Sequence, residues 1–190
     1  MRSSAPPVAV ISTRPGPCGF LSQFATSKRM AYRLFVFDLD ETLWTVSEGL
    51  VSLIHPPFRQ NGPDRLETDQ GYYVELKPGV RQLFDFLKKG GRYISLASRN
   101  DPEPTVALLD AFKLNALIDF PQLCWRPKEE SIEKIIKEIQ KRDKVAIKPS
   151  EVVFIDDWPE NVVPVRKWGA TALLFGQDVI SHDELLKILK

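Results

Sequence analysis

The chain has 190 residues, enough for one domain with a sizeable hydrophobic core. Apolar residues make up 43% and charged residues 27% of the sequence, which excludes a collagen-like or wholly disordered chain. The formal net charge is only +1, so the strongly basic surface of many nucleic-acid-binding or membrane-binding proteins is absent and we expect neither partner.

The N-terminal stretch differs in composition from the rest of the chain. No acidic residue occurs before Asp38, whereas Arg, Lys, Ser and Pro are frequent there. This composition is typical either of a disordered leader, with the working protein beginning at Met30, or of a targeting segment. We therefore predict that residues 1–30 are such a segment and that residues 31–190 form a single domain.

The two cysteines indicate a reducing compartment. Cys18 and Cys124 are far apart and match no metal-binding spacing. They are typical of reduced thiols, and no apolar run approaches the roughly 20 residues that span a bilayer. We predict a cytoplasmic protein.

Apolar runs of strand length alternate with amphipathic helical patterns along the chain. The predicted strands are 33–38, 92–98, 151–156 and 171–175, with a short strand-like piece at 118–125. The predicted helices are 80–89, 105–114, 129–142, 159–168 and 183–190, and the third carries a stripe of Ile132, Ile135, Ile136 and Ile139. This order predicts βαβ units and an α/β fold, a three-layer sandwich with a parallel central sheet.

Residues 39–77 interrupt this alternation. The segments HPPF, NGPD and DQGYY are rich in turn residues, and no helical period persists. We predict an irregular stretch with a functional role, since long loops within compact domains are usually functional.

Polar side chains stand at the ends of three predicted strands. They are Asp38, Ser98 and the pair Asp156–Asp157. Ligands bind at the carboxyl ends of parallel strands, so we expect these side chains to share one site. Adjacent buried carboxylates repel one another unless a cation is present, and Mg²⁺ fits best if the substrate carries phosphate.

The spacing of Asp38 and Asp40 is suited to phosphoryl transfer. In an extended segment, residues two apart point to the same side, so one carboxylate can attack phosphorus while the other protonates the leaving oxygen. Ser98, with Asn100 nearby, is either a phosphate ligand or a plain helix N-cap. Lys128 is a candidate cation for the phosphate group.

The order of these motifs resembles that of the haloacid dehalogenase superfamily. The series is DxDxT, a strand-end Ser, a Lys and a strand-end DD, and the likeness spans about residues 33 to 176. Within the superfamily, DLDETLW, HPPF, LKPGV, LASRND and FIDDWPEN are most similar to landmarks of the magnesium-dependent phosphatase family. The resemblance implies a Rossmann-like core that is capless, or has only residues 39–77 as a small flap insertion.

The resemblance also implies roles for individual residues. Asp38 is expected to be the nucleophile and Asp40 the general acid and base. The expected phosphate- or substrate-binding residues are Leu39, Ser98, Arg99, Asn100 and Lys128. The expected Mg²⁺ ligands are the Asp38 carboxylate, the backbone carbonyl of Asp40 and the Asp157 carboxylate. Asp156 and Asn161 are expected to lie behind them or to bind through water. Which of the two adjacent acids, Asp156 or Asp157, binds the metal directly is left open.

Substrate identity stays open at this stage. Members of the family act on protein phosphotyrosine or on small phosphorylated sugars, so a phosphorylated metabolite or a phosphoprotein is expected. Four flap residues are candidates either for selectivity or for packing of the loop onto the core: Trp44, His55, Phe58 and Tyr72. The sequence does not indicate the oligomeric state.

Three alternative functions are considered. Dehalogenases and phosphonatases of the superfamily lack the second acid of DxD, so Asp40 favours phosphoester hydrolysis. Phosphoacceptor signalling domains also combine a DD pair, an Asp, a Ser or Thr and a Lys, but their DD pair follows the first strand. A catalytically silent binding module would not need the full set of polar groups.

Overall fold

The computed structural model describes residues 32–47 and 54–190. The predicted leader, residues 1–30, lies outside these residues. The strands, numbered in chain order, are β1 (Leu34–Phe37), β2 (Trp44–Val46), β3 (Arg59–Gln60), β4 (Arg65–Glu67), β5 (Tyr73–Leu76), β6 (Tyr93–Ser98), β7 (Gln122–Leu123), β8 (Val152–Asp156) and β9 (Thr171–Leu174). The helices are α1 (Val80–Lys89), α2 (Pro102–Ala111), α3 (Lys128–Asp143), α4 (Pro159–Trp168) and α5 (His182–Leu189).

The main sheet has five parallel strands in the order β7-β6-β1-β8-β9. Strand β1 lies at its centre and is fully buried, because both faces of the sheet are covered. Its side chains alternate between two hydrophobic clusters, with Phe35 and Phe37 in one and Leu34 and Val36 in the other. Helices α1, α2 and α5 contribute to the first cluster, and α3 and α4 to the second.

This arrangement confirms the predicted three-layer α/β sandwich with a parallel central sheet. The helix boundaries agree with the sequence periodicity to within a few residues, and α4 occupies the predicted range. In α3 the predicted isoleucine stripe is largely confirmed, since Ile132, Ile135 and Ile139 are fully buried, while Ile136 is only partly buried. Among residues 32–47 and 54–190, no helix combines the length and apolar character that crossing a membrane requires.

The prediction of an irregular stretch at 39–77 is wrong. Strands β2 to β5 form a second, antiparallel sheet in the order β2-β5-β4-β3. Each strand has only two to four residues, so the alternation of buried and exposed side chains is too short to be recognised among the surrounding turns. The small sheet packs on the same core as α1 through Trp44, Val46, Leu66, Val74 and Leu76.

Candidate active site

A cavity of about 250 Å³ lies at the carboxyl ends of β1, β6 and β8. It brings together every residue predicted for catalysis, phosphate binding or metal binding except Leu39, and none of the four flap candidates for selectivity. Its lining residues are Asp38, Asp40, Glu41, Ser98, Arg99, Asn100, Lys128, Asp156, Asp157, Trp158 and Asn161. A larger cavity of about 780 Å³ contains none of these residues and lies between the small sheet, the start of α1 and the segment before α5.

Lys128 and Arg99 are cationic residues that line this cavity, and the side chain of Lys128 is almost completely buried. Its ammonium Nζ donates to Asp38 Oδ1 at 2.5 Å and to the backbone carbonyl of Ala97 at 2.6 Å. It also lies 3.3 Å from Asp156 Oδ2. Lys128 is the first residue of α3, so the helix start carries the side chain into the end of the sheet. One buried ammonium thus faces the fully buried carboxylate of Asp156 and the partly buried carboxylate of Asp38, and the group of three carries net negative charge.

The pKa of Asp38 reflects first its burial and then the charges around it. Burial raises the pKa of Asp38 to about 7, because desolvation outweighs the opposing attraction of Lys128. The neighbouring Asp156 raises that pKa further. A divalent cation would relieve both effects by favouring the charged carboxylate.

Asp156, at the end of β8, is held by several donors. It is fully buried, and its Oδ1 accepts hydrogen bonds from the backbone N–H of Trp158 at 2.8 Å and from Asn161 Nδ2 at 3.1 Å. Asn161 Nδ2 also lies 3.0 Å from Asp156 Oδ2. With Lys128 on Oδ2 as well, both oxygens of this carboxylate have partners within the protein.

Asp157 is more accessible and is held by Thr42. The Thr42 hydroxyl donates to Asp157 Oδ1 at 3.2 Å and accepts from the Asp157 backbone N–H at 3.1 Å. Burial raises the pKa of Asp157. Thr42 is the last residue of the DxDxT motif. Its hydroxyl links this first motif to the last motif at Asp157, and the sequence did not predict this link.

The carboxylates of Asp38, Asp156 and Asp157 form a group suited to a metal ion. One oxygen atom from each lies within 4.8 Å of the others. An all-oxygen donor set with more negative charge than Lys128 offsets is the kind of site that Mg²⁺ prefers. The residues therefore fit the predicted Mg²⁺ cofactor.

Asp40 is oriented by two donors that meet at one oxygen. Trp44 Nε1 donates to Asp40 Oδ1 at 2.6 Å, and Asn100 Nδ2 donates to the same atom at 3.1 Å. Burial raises the pKa of Asp40, and these two hydrogen bonds oppose that rise. The sequence did not predict this role of Trp44, because the contact depends on the fold of the turn between Asp40 and β2.

Ser98, Arg99 and Asn100 also line the cavity, at the end of β6. Ser98 is nearly fully buried, and its hydroxyl accepts from the backbone N–H of Asn100 at 3.3 Å. The alternative that Ser98 is the helix N-cap is wrong, because α2 begins at Pro102 with Asp101 in the N-cap position. Arg99 is exposed and donates to Asn161 Oδ1 at 3.1 Å.

The remaining predicted residues lie away from the cavity. The side chain of Leu39 is fully buried in the core, so only its backbone N–H is left to contact a phosphate group. Of the flap residues 39–47 and 54–77, only Asp40 and Glu41 line the cavity. Trp44 is fully buried, and Phe58 and Tyr72 are partly buried against the core, so packing is the better interpretation for these three; His55 is exposed.

Comparison with known proteins places this site in a family. Human magnesium-dependent phosphatase 1 is 29% identical over 142 residues, which are 74% of this chain and 76% of the human protein. A solved haloacid dehalogenase superfamily hydrolase from Ehrlichia chaffeensis matches with a TM-score of 0.60 and 13% identity, covering 82% of this chain and 95% of that one. A predicted phosphoglycolate phosphatase from Haemophilus somnus matches with a TM-score of 0.58 and 14% identity, covering 84% and 99%.

These findings confirm the predicted haloacid dehalogenase fold and the resemblance to magnesium-dependent phosphatases. Together with the carboxylate cluster they also confirm the predictions of a phosphatase and of a magnesium cofactor. The family model described as Acid Phosphatase matches residues 31–188, and the chain therefore belongs to the acid phosphatase family.

Proposed function

We propose that this protein hydrolyses phosphomonoesters through an aspartyl-phosphate intermediate, with Asp38 as the nucleophile and Asp40 as the general acid and base. The observation that carries this proposal is that both acids line one cavity in different environments. Burial raises the pKa of both acids, but their partners differ. Asp38 contacts the Lys128 ammonium and belongs to the carboxylate cluster that would hold Mg²⁺, and both features favour its charged form as a nucleophile. Asp40 accepts hydrogen bonds from the neutral groups of Trp44 and Asn100 and keeps the raised pKa that a proton donor needs.

In the first step, a carboxylate oxygen of Asp38 attacks phosphorus in line, and the bond between phosphorus and the leaving oxygen breaks. Asp40 gives its proton to that leaving oxygen. Because Trp44 and Asn100 both donate to Oδ1 of Asp40, the proton is carried on Oδ2. In this proposal Lys128 and Ser98 bind the phosphoryl oxygens, and the support is that both line the same cavity as Asp38.

In the second step, Asp40 removes a proton from a water molecule, which attacks the phosphorus of the acyl phosphate. The bond from phosphorus to Asp38 breaks, and inorganic phosphate leaves. The side chains of Asp38 and Asp157 and the backbone carbonyl of Asp40 would hold Mg²⁺, with Asp156 and Asn161 behind them. Bound Mg²⁺ would neutralise the negative charge of phosphate and carboxylates.

Asp157 is the better candidate for direct metal ligation of the two adjacent acids. The carboxylate of Asp156 already accepts hydrogen bonds from Trp158 and Asn161 and forms an ion pair with Lys128, while the Asp157 carboxylate accepts from the Thr42 hydroxyl and has no such cation contact among residues 32–47 and 54–190. Asp157 is also the more exposed of the two.

For the substrate we propose small phosphorylated metabolites or phosphotyrosine-type groups on proteins. The support is the resemblance to magnesium-dependent phosphatases and the small polar cavity. Among the flap residues that the structure describes, only Asp40 and Glu41 line this cavity. A single domain over residues 31–190 and a cytoplasmic location also remain our proposals.

The decisive experiment is to trap the intermediate. Purified protein with Mg²⁺ and a ³²P-labelled phosphomonoester is quenched in acid, and protein-bound label is tested for release by hydroxylamine, which cleaves acyl phosphates. We expect hydroxylamine-sensitive label on the wild type and none on Asp38→Asn, which should also lose turnover. The exposed Asp85 provides a control, Asp85→Asn, that should behave like the wild type. Normal turnover by Asp38→Asn would refute the mechanism.

A further inference from the structure

Two tryptophan side chains next to the active site are exposed to solvent. Trp125 is 81% exposed and Trp158 is 58% exposed. Trp158 lines the catalytic cavity, whereas Trp125 lines an adjoining cavity of about 470 Å³. The two cavities share Arg99, Lys128 and Asn161, so together they form one continuous depression with an indole on each part.

The backbone positions of both tryptophans are set by catalytic segments. Trp158 directly follows Asp157, and its N–H donates to Asp156 Oδ1 at 2.8 Å. Trp125 stands three residues before Lys128, ahead of the proline that precedes α3. Each backbone is therefore held close to the reacting groups while the side chain remains in solvent.

The other two tryptophans of the chain are used differently. Trp44 is fully buried, and Trp168 is partly buried with its Nε1 donating to Glu133 Oε1 at 3.0 Å. The side chains of Trp125 and Trp158 are thus large and exposed to solvent beside the cavity that the substrate must enter. Exposed aromatic surface beside polar groups is typical of ligand-binding surfaces.

Arg99 connects Trp125 to the catalytic cavity. Its guanidinium carbon lies 5.8 Å from the centroid of the Trp125 ring, within the range of a cation–π contact. The same guanidinium donates to Asn161 Oδ1, which lies beside Asp156. Arg99 therefore holds the Trp125 ring on the side of the reacting groups.

On this geometry, and resting on the proposed phosphomonoesterase function, we propose that Trp125 and Trp158 determine specificity by contacting the leaving group. They favour phosphomonoesters whose leaving group carries a flat unsaturated ring, which stacks on an indole while the phosphoryl group lies at Asp38. A nucleobase and an aryl group share this chemistry, and the experiment below separates them.

The test uses two pairs of substrates with matched primary-alcohol leaving groups. Adenosine 5′-monophosphate is compared with ribose 5-phosphate, and benzyl phosphate with cyclohexylmethyl phosphate. Within each pair the bond that breaks is alike, and only the flat ring differs. Steady-state kcat and KM are measured with Mg²⁺ for the wild type and for Trp125→Ala, Trp158→Ala and Trp125→Phe. Ile180→Ala is the control, since Ile180 is 70% exposed but lies outside both cavities.

We expect Trp125→Ala or Trp158→Ala to lower kcat/KM about five- to tenfold for the ring-bearing substrate, mainly through KM, as loss of one stacking contact predicts. The ring-free partner should change less than about twofold, and Trp125→Phe should keep most of the preference because it keeps a flat ring. An effect confined to adenosine 5′-monophosphate identifies a nucleobase, and one confined to benzyl phosphate identifies an aryl group.

The outcomes separate this inference from the function on which it rests. Equal losses for both members of each pair, or no loss for any substrate, would overturn the role of the tryptophans while hydrolysis itself stands. If the wild type hydrolysed none of the four compounds, both the proposed function and the inference would be rejected.

Discussion

Trp44 Nε1 donates to Asp40 Oδ1 at 2.6 Å, so a fully buried indole fixes one oxygen of the Asp40 carboxyl group. Asn100 donates to the same oxygen from the other side of the cavity. In the proposed mechanism, the small antiparallel sheet that carries Trp44 thereby contributes to catalysis without lining the cavity. Its function is to set the direction in which Asp40 presents its second oxygen.

Replacing Trp44 by Phe should therefore impair proton donation more than folding. The variant keeps a buried aromatic ring but loses a hydrogen bond to a carboxyl group, and we expect kcat for alkyl phosphates to fall roughly ten- to a hundredfold. For an activated aryl phosphate, whose leaving group needs little protonation, the loss should be much smaller. Steady-state rates for both substrate types measure this difference.

Trp168→Phe is the matched control for this prediction. In the wild type, Trp168 Nε1 also donates to a carboxylate, that of Glu133, but neither residue lines the cavity. Activity of the control should remain at the wild-type level on both substrates. Equal losses on alkyl and aryl phosphates in Trp44→Phe would show that Trp44 supports the fold and not the proton transfer.

Lys128→Met should be among the most damaging single changes in the site. It removes the ammonium that lies between Asp38 and Asp156 and leaves one fully buried and one partly buried carboxylate without their cation. We expect kcat/KM to fall by more than about a hundredfold, and metal-free stability to fall by about 3–5 kcal/mol, as for a broken buried ion pair. Chemical denaturation in chelator and kinetics in Mg²⁺ provide the two measurements.

The comparison variant is Lys137→Met on the outer side of the same helix. Lys137 is 76% exposed and lies 3.9 Å from Glu133, so its loss should change stability by at most about 1 kcal/mol. Activity should be unaffected. A Lys128→Met protein with wild-type kcat would remove this lysine from the mechanism.

Much of the fold was predictable because long elements carry strong periodic signals. Helix α3 has 16 residues, and its isoleucine stripe extends over about two turns. The strands of the main sheet are apolar runs because both faces are buried. Strands β2 to β5 were missed because two to four residues are too few to show an alternation.

The candidate site was predictable to the extent that it stands at strand ends. Asp38, Ser98 and Asp156 each occupy the end of a parallel strand or the position after it, and topology alone brings these together. The contacts of Thr42 and Trp44 were not predictable, because they depend on how the turn after β1 folds back on Leu39 and on the last motif.

Removal of Mg²⁺ should abolish turnover and lower thermal stability. Metal binding to the carboxylate cluster offsets the repulsion among Asp38, Asp156 and Asp157, so Mg²⁺ should raise Tm by an amount that grows with its concentration. Ca²⁺ should inhibit because it relaxes the octahedral geometry that Mg²⁺ imposes. Asp157→Asn should lose most of the Tm increase, and Asp85→Asn should retain it. Undiminished turnover in excess chelator would contradict a metal requirement.

His182 should make the protein sensitive to acid. Its Nε2 lies 2.9 Å from the backbone carbonyl of Thr42 and donates to it, while no partner is described for Nδ1 in the structure. Burial lowers the pKa of His182 to about 4, so the folded protein keeps the ring neutral where the unfolded chain, with a pKa near 6.5, takes up a proton.

The unfolded state therefore binds more protons between these two values, and the free energy of unfolding must decrease as the pH falls from about 6.5 to about 4. The slope attributable to His182 approaches about 1.4 kcal/mol per pH unit. Urea unfolding of the wild type and of His182→Gln across this pH range measures the slope that is due to His182. The contribution of the carboxyl groups cancels in the difference, because they titrate in both proteins. Parallel curves for the two proteins would show that His182 is protonated as readily in the folded state as in the unfolded chain.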